Sequence, residues 1–526
     1  MVRSLDPQVR ASDLPVGSPE AGQLARTWGS KLRDVRLAGL CVLAFAWLFG
    51  MLCVPPDYQG IGRSPSVLYY QRTEGYFHQA AFEVTDSREF LRNYRNLIGS
   101  GNDPDRYLHL GTHPPGLTLG YRGLLTLFEW SPQWAEALIA IEPPAIREGF
   151  AALRQFPTPR EQLLTTPEEA TLWAATLLTL AAAAATCWPI YRLAARMGGP
   201  VVGWRAAVLW PLVPSLLVFF PKSDLLCPLI GTASCWLWLD GWSRLRWGRC
   251  VLAGAGFFAG LLLTLALAPI ALLLVVQTIL ERWTGREEFA DRRVWTDVAT
   301  VLAALVGFLV PLIALSAWGG CNVFAIWLQS LSNHALFYDH NPRNYGAWLA
   351  VNPLEAAFSL GIPLACLVVA GALSLECRRF LRNRCLRRLC QWFSTGNVER
   401  AISEKSPTFR QPARSGFATD VRDAHALRWA VAFSQTVAWG VVWAFLWLSG
   451  KNMGEAARLW IFLAPWAVMT AALVWQSPGD ATPGLSTRDE IERQRSWKWL
   501  LALQLLACLW TSAWVDGFHF ADLLPK

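Results

Sequence analysis

A chain with many apolar stretches long enough to cross a bilayer cannot hide them all in a water-soluble core, and this sequence repeats such stretches along most of its length. The clearest run Leu37–Val54, Thr171–Ile190, Ala206–Phe220, Leu225–Leu239, Val298–Ala317, Ala356–Leu373, Trp429–Leu448, Leu459–Trp475 and Trp499–Ala513. A hydrocarbon core of about 30 Å takes about 20 helical residues, and these runs approach or reach that length. The block Val251–Leu280 is long enough for a tight pair of helices turning near Ala268 and Pro269. The expected fold is therefore an all-α polytopic membrane protein with about 11 transmembrane helices.

Composition agrees: 53% hydrophobic residues and 29 Trp in 526 exceed what a soluble domain carries. The first run is preceded by 36 residues and followed by "MLCVPPDY" with no small-residue cleavage site, so it reads as a signal anchor. Most of the 12 cysteines fall inside predicted spans or in one basic loop with Cys377, Cys385 and Cys390, which is no disulfide framework. A net charge of +8 would suit nucleic acid, but the basic residues cluster beside spans, as membrane orientation demands. No nucleic-acid partner is expected.

Six arginine-rich connectors, from "KLRDVR" to "RDEIERQRSWK", all fall on one side if the N-terminus is cytoplasmic and the 11 spans are right. The expected organisation is a cytoplasmic tail over 1–36, a first span over 37–54 and an extracytoplasmic loop over 55–169. Spans two to eight with their outer loops follow over 170–375, then a basic cytoplasmic loop over 376–428 and three last spans over 429–526. Within the long outer loop, "DSREFLRNYRNLIG" has helical spacing, and Asp86 with Glu89 forms a capping-box pattern. "GLTLGYRGLLTLFEW" reads as an interfacial helix, or as a further span. Four more polar clusters share the outer side: "FFPKSDLL", "LSNHALFYDHNPRNYGAWLAVNP", "SGKNMGEAARLW" and the C-terminal "DGFHFADLLPK". A site assembled from loops on that face follows.

At these residues the sequence resembles the GT-C superfamily of integral-membrane glycosyltransferases, which includes protein O-mannosyltransferases and aminoarabinose transferases. "TEGYFHQA", Thr73–Ala80, is similar to the acidic motif of the family's first outer loop, and "THPPG", Thr112–Gly116, to its HPP motif. "IYRLAARMGGPVVGWRAAVLWPLVPSLLVFFPKSDLL" resembles its short cytoplasmic turn, a Pro-ended span and a surface acid, here Asp224. Layout matches over most of the first half and topology over the second. One departure stands out: the family's Asp-Glu pair is Thr73-Glu74 here.

The resemblance implies an inverting transfer of sugar from a polyprenyl-phosphate donor to a lipid, glycan or protein acceptor at the outer face of the plasma (inner) membrane. Such a transfer needs a base for the acceptor proton and positive groups for the departing phosphate. Glu74 and Asp86 are the candidate bases, with Glu74 preferred; Asp86 has the alternative of capping the helix from Ser87, and Glu74 of being a solvated helix residue. Asp224 beside Lys222 would orient the acceptor or help hold a metal, or be an interfacial ion pair. His113, held before two prolines, would hydrogen-bond a phosphate oxygen, or simply pack its loop. Arg458, three residues from Glu455 and able to pair with it, and Arg343 would hold a lipid phosphate, or reach to headgroups. Asn333, His334, Tyr338 and Trp348 would line a sugar pocket, although Tyr and Trp gather at membrane interfaces anyway.

No metal-ligand spacing occurs in the outer loops, and "DPD" at Asp103–Asp105 is broken by proline. The resemblance leaves room for a divalent cation that these residues do not predict. No G-x-x-x-x-G-K loop is present, against nucleotide hydrolysis. The rivals are a transporter or lipid flippase, disfavoured because the spans are nearly free of charge, and a non-catalytic envelope-assembly subunit, favoured by the missing Asp. The basic loop should contact anionic headgroups or be partly disordered.

Overall fold

The computed structural model describes residues 19–55, 60–99, 110–155, 159, 163–284, 293–340, 342–373, 416–450, 455–475, 487–515 and 517–518. The Asp103–Asp105 motif, His109 and most of the basic loop 376–428 lie outside the described residues. Among the described residues all regular structure is helical. The first half contains α1 (Pro19–Leu52), α2 (Ser64–Tyr69), α3 (Ser87–Gly99), α4 (Gly116–Trp130), α5 (Pro132–Ala140), α6 (Pro144–Leu153), α7 (Thr166–Ala185), α8 (Cys187–Gly198), α9 (Pro200–Leu209) and α10 (Cys227–Ser243). The second contains α11 (Trp247–Leu263), α12 (Pro269–Thr284), α13 (Val294–Gly319), α14 (Val323–His340), α15 (Tyr345–Leu360), α16 (Ile362–Ala372), α17 (Gly416–Leu448), α18 (Ala456–Leu459), α19 (Ala464–Ala472) and α20 (Thr487–Trp514).

Among the described residues, six helices, counted across small breaks, are long and apolar enough to cross a membrane: Lys31–Leu52, Thr166–Gly198, Pro200–Val218, Leu265–Thr284, Val294–Gly319 and Arg428–Leu448. The bent pair α15–α16 makes a seventh if it is one span. The chain is thus a multi-pass membrane protein; a count of 11 would also require shorter helices such as α11 to cross. Side chains follow the pattern of a protein in lipid. Trp173, Trp210 and Trp466 are fully buried at the centre, while Val301, Leu305, Val306 and Ile313 of α13 are exposed. Bulky apolar side chains on that outer face have hydrocarbon, not water, as their solvent.

Local chemistry explains where helices begin, end and touch. Thr165 and Glu168 form a capping box at the start of α7, with Pro167 in its first turn. The turn foreseen near Ala268 and Pro269 is present, since α11 ends at Leu263 and α12 starts at Pro269. Helices α11 and α13 approach closely because Gly254 and Gly307 face each other's backbones: a Cβ on either would come within 1.9 Å of a carbonyl oxygen on the other helix.

Two readings of the sequence are corrected. Ala356–Leu373 is not one straight span but α15 and α16 meeting at 110°. Gly361 adopts φ +89°, and Pro363 opens the next helix, so the hydrogen-bond ladder stops there. The amide of Gln504 on α20 repairs the break, donating to the Leu360 carbonyl at 2.8 Å and accepting from the Leu364 N–H at 3.2 Å. The stretch read as an outer polar loop around Asn333 is instead the 18-residue helix α14. In addition, α1 reaches back to Pro19, into the segment read as a tail.

Candidate functional site

The segment between α2 and α3 carries Glu74 into the protein. Thr73 anchors it by donating its hydroxyl to the carbonyls of Val67 at 2.5 Å and Tyr70 at 2.7 Å. Gly75, at φ +78°, then turns the chain in a conformation that a side chain would strain, leaving Glu74 pointing inward with 1% of its surface exposed. One carboxylate oxygen, Oε1, accepts from the Ser223 backbone N–H at 2.6 Å and from the Ser223 hydroxyl at 2.8 Å. The other, Oε2, is buried without a well-formed hydrogen bond, and the buried Tyr121 hydroxyl stands close to the same carboxylate. Burial raises the Glu74 pKa, opposed by Lys222 and by both Ser223 hydrogen bonds.

Lys222 precedes Ser223 on the same turn and donates its ammonium to the Thr73 carbonyl, which ties the two segments together. It is buried, and burial plus the nearby Arg458 push its pKa down to about 8 against the pull of Glu74, Asp224 and Glu455. Arg63 holds the strand of chain leading to this turn: its guanidinium donates to the carbonyls of Leu217 at 2.6 Å, Val218 at 2.9 Å and Phe220 at 2.8 Å. Leu217 and Val218 end the preceding helical turn, Ser215–Val218, where carbonyls run out of helical partners.

Arg458, on the short α18, completes the cluster. Its Nε lies 3.4 Å from Asp224 Oδ2, and its Nη2 donates to Glu455 Oε2 at 3.1 Å, the pairing expected of residues three apart. Burial works against the charge, but Glu455 and Asp224 outweigh it and raise the Arg458 pKa, so the guanidinium is fixed as a cation. Two neighbours extend this end of the site. Glu355 of α15 accepts from the N–H groups of Ala456 at 3.0 Å and Ala457 at 3.5 Å, and Arg343 lies within reach of Glu355 while its guanidinium covers the Trp348 ring at 5.9 Å.

The structure therefore brings together Glu74, Lys222, Asp224, Glu455 and Arg458, with Arg343 at the margin. His113 reaches the group through Tyr76: the two rings meet edge-on with centroids 5.7 Å apart, and the buried Tyr76 lies in the combined field of Glu74, Asp224 and Arg458. The His113 Nδ1 is 3.0 Å from the Thr112 hydroxyl, and its carbonyl accepts from Tyr94 at 2.9 Å. Asp86 stands apart. It is exposed and accepts from the Arg88 N–H at 2.8 Å as a cap of α3.

Asn333 is turned to architecture: its amide donates to the carbonyls of Ile98 at 3.0 Å and Gly111 at 2.8 Å, pinning the HPP loop to α3. His334 follows it on α14 and is half-buried; the side chain of Tyr338 lies outside the described residues. Gly116 fixes the other end of that loop, where a Cβ would meet the Leu262 carbonyl oxygen at 2.3 Å. Sequence reasoning missed Ser223, Tyr76, Arg63 and Glu355. Ser223 and Tyr76 left traces, inside the quoted "FFPKSDLL" and "TEGYFHQA".

A carboxylate with one anchored oxygen and one that lacks a well-formed hydrogen bond can take a proton, and a buried guanidinium with an ammonium nearby can stabilise an oxyanion. Asp224 and Glu455 each direct an oxygen to Arg458, so these acids surround a guanidinium and do not form a cation cradle. Among the described residues no group of three His, Cys, Asp or Glu is arranged to hold a metal ion.

No family model matches the sequence, and neither does any curated protein. Among solved structures, the chain is similar to the apo crystal structure of the Archaeoglobus fulgidus oligosaccharyltransferase, with 12% identity and a TM-score of 0.45 over 92% of this chain and 56% of that one. It is similar also to the archaeal oligosaccharyltransferase AglB from the same organism in complex with an inhibitory peptide and a dolichol-phosphate, with 13% identity and a TM-score of 0.43 over 93% and 57% of the two chains. The chain thus spans little more than half the length of those proteins. At this degree of similarity the chemistry has to be read from the chain's own residues.

Proposed function

We propose that the protein is a membrane glycosyltransferase of GT-C type that moves a sugar from a polyprenyl-phosphate donor to an acceptor hydroxyl, lipid, glycan or protein, at the extracytoplasmic face of the plasma membrane. The observation that supports this most is the meeting of Glu74, one of whose oxygens lacks a well-formed hydrogen bond, with Lys222 and Arg458 in one buried cluster. Glu74 is the base. Its raised pKa brings it nearer to the working pH, where a carboxylate is both ionised and willing to take a proton.

In this reading the acceptor oxygen forms its bond to the anomeric carbon as the bond from that carbon to the phosphate oxygen breaks. The acceptor proton goes to Glu74 Oε2, and the electron pair leaves with the phosphate, whose charge falls to Arg458 and Lys222. A single displacement of this kind inverts the anomeric centre. Asp224 and Glu455 orient the Arg458 guanidinium, and His113 and Tyr76 border the phosphate. Arg343 and the Trp348 ring belong to the outer approach, where the sugar would enter, and His334 of α14 is kept as a further sugar contact.

Binding of a short polyprenyl phosphate to detergent-solubilised protein tests the donor half. Arg458→Gln should weaken it about tenfold or more, the scale of a lost charge-assisted contact, while Asp86→Asn should leave it unchanged. Equal affinity in wild type and Arg458→Gln would remove the donor site from this cluster.

A further inference from the structure

A recess in the bundle lies away from this cluster. It is a cavity of about 450 Å³ between α1, the α7–α8 junction and α10, lined by Ala38, Cys41, Ala185, Trp188, Ala233 and Trp236 among others. It exists because alanines on three helices face two tryptophan rings and do not fill the gap between them. Its place along α1 separates it from Glu74. Leu52 leads into the site-bearing segment, and Cys41 is eleven residues earlier, about 16 Å along the helix.

The residues beside this apolar recess are charged. The Arg192 guanidinium covers the Trp188 ring at 5.4 Å and the Trp236 ring at 5.8 Å. Its Nη2 donates to Asp34 at 2.8 Å, whereas its Nε is buried without a hydrogen-bond partner. Arg249 covers the same Trp236 ring, 5.4 Å from its centroid, and pairs with Asp240. On the adjoining turns Lys31, Arg33, Arg36, Arg244 and Arg246 join Arg192 and Arg249, and these cations outnumber Asp34 and Asp240. Val35 and Val42, one turn to either side of the cavity-lining Ala38, are exposed apolar residues on a helix that crosses the bilayer.

We propose that this cavity holds one acyl chain of an anionic phospholipid, with its phosphate beside Arg192 at the basic end of α1 and α8. An apolar slot roomy enough for one narrow chain, next to surplus positive charge at a membrane boundary, is complementary to a lipid with a negative headgroup. A zwitterionic lipid satisfies the slot but not the charge. The site is independent of the proposed transfer chemistry, since it lies about 16 Å along α1 from the end that leads to Glu74.

The test uses the intact protein in nanodiscs of phosphatidylglycerol and phosphatidylcholine carrying a trace of photoactivatable, chain-labelled lipid of either headgroup. Labelled phosphatidylglycerol should crosslink to the peptides containing Ala38–Cys41, Trp188 and Trp236 about fivefold more than labelled phosphatidylcholine does. Arg192→Gln should remove that preference, and Ala233→Phe should remove the crosslinks from both lipids. Equal labelling by the two headgroups in wild type, or labels spread evenly over exposed faces such as α13, would overturn the proposal. Because the headgroup comparison is made in the wild-type protein, it does not depend on either variant folding.

Discussion

Glu74 and Ser223 are 149 residues apart, yet one Glu74 oxygen receives both the backbone N–H and the hydroxyl of Ser223, at 2.6 and 2.8 Å. Both bonds favour the ionised carboxylate, against a burial that disfavours it. Ser223→Ala deletes one of them and should raise the Glu74 pKa further. A base works only when ionised, so the acid limb of the transfer rate should move to higher pH in this variant, measured as a pH profile of single-turnover transfer. An unmoved acid limb would separate Glu74 from the proton transfer.

Lys222 should set the other limb. Its pKa, pushed down to about 8, means that above that pH it loses the charge that helps the phosphate leave, so transfer should fall. Lys222→Arg, if it folds, should remove the fall below pH 10. The same shift has a stability signature. Between pH 8 and the ordinary lysine value of 10.5 the unfolded chain binds more protons than the folded one, so stability rises with pH across that window. Lys222→Met should flatten that rise, read by thermal unfolding in detergent at several pH values.

Asp86 is predicted to matter for the fold and not for the chemistry. Asp86→Ala removes the oxygen that caps α3 and should cost about 0.5–2 kcal/mol of stability with transfer unchanged at equal folded amounts. A loss of transfer far beyond the loss of folded protein would return Asp86 to the list of bases.

Asn333 should affect both, through the HPP loop. Asn333→Ala strips a buried donor from the carbonyls of Ile98 and Gly111, a cost of about 1–3 kcal/mol. Because Gly111 is two residues from His113, transfer should also fall, with a larger change in donor KM than in kcat if the loop positions the phosphate.

The sequence made some of this legible for clear physical reasons. Hydropathy marks where helices must be, and the proline after Ala268 marks a turn. It misses the break at Gly361, because an apolar window runs smoothly through it; the break depends on a left-handed glycine and on Gln504 from α20. Helix α14 was hidden by Gln329, Ser330 and Asn333, polar residues that look like loop but face the HPP segment. Within the site, the Glu455 and Arg458 pair is local and readable at spacing three, as is the Asp86 cap. The Arg458 contact to Asp224 and the Ser223 bonds to Glu74 join distant segments, and no local pattern encodes them.

The most direct measurement is transfer of radiolabelled sugar from polyprenyl-phosphate donors by the purified protein, comparing wild type, Glu74→Gln and Asp86→Asn at equal folded amounts. The expected result is transfer by wild type and Asp86→Asn and none above background by Glu74→Gln. Transfer that survives in Glu74→Gln would contradict the assignment of Glu74 as base, and a wild type inactive with every donor and acceptor offered would contradict the glycosyltransferase reading itself.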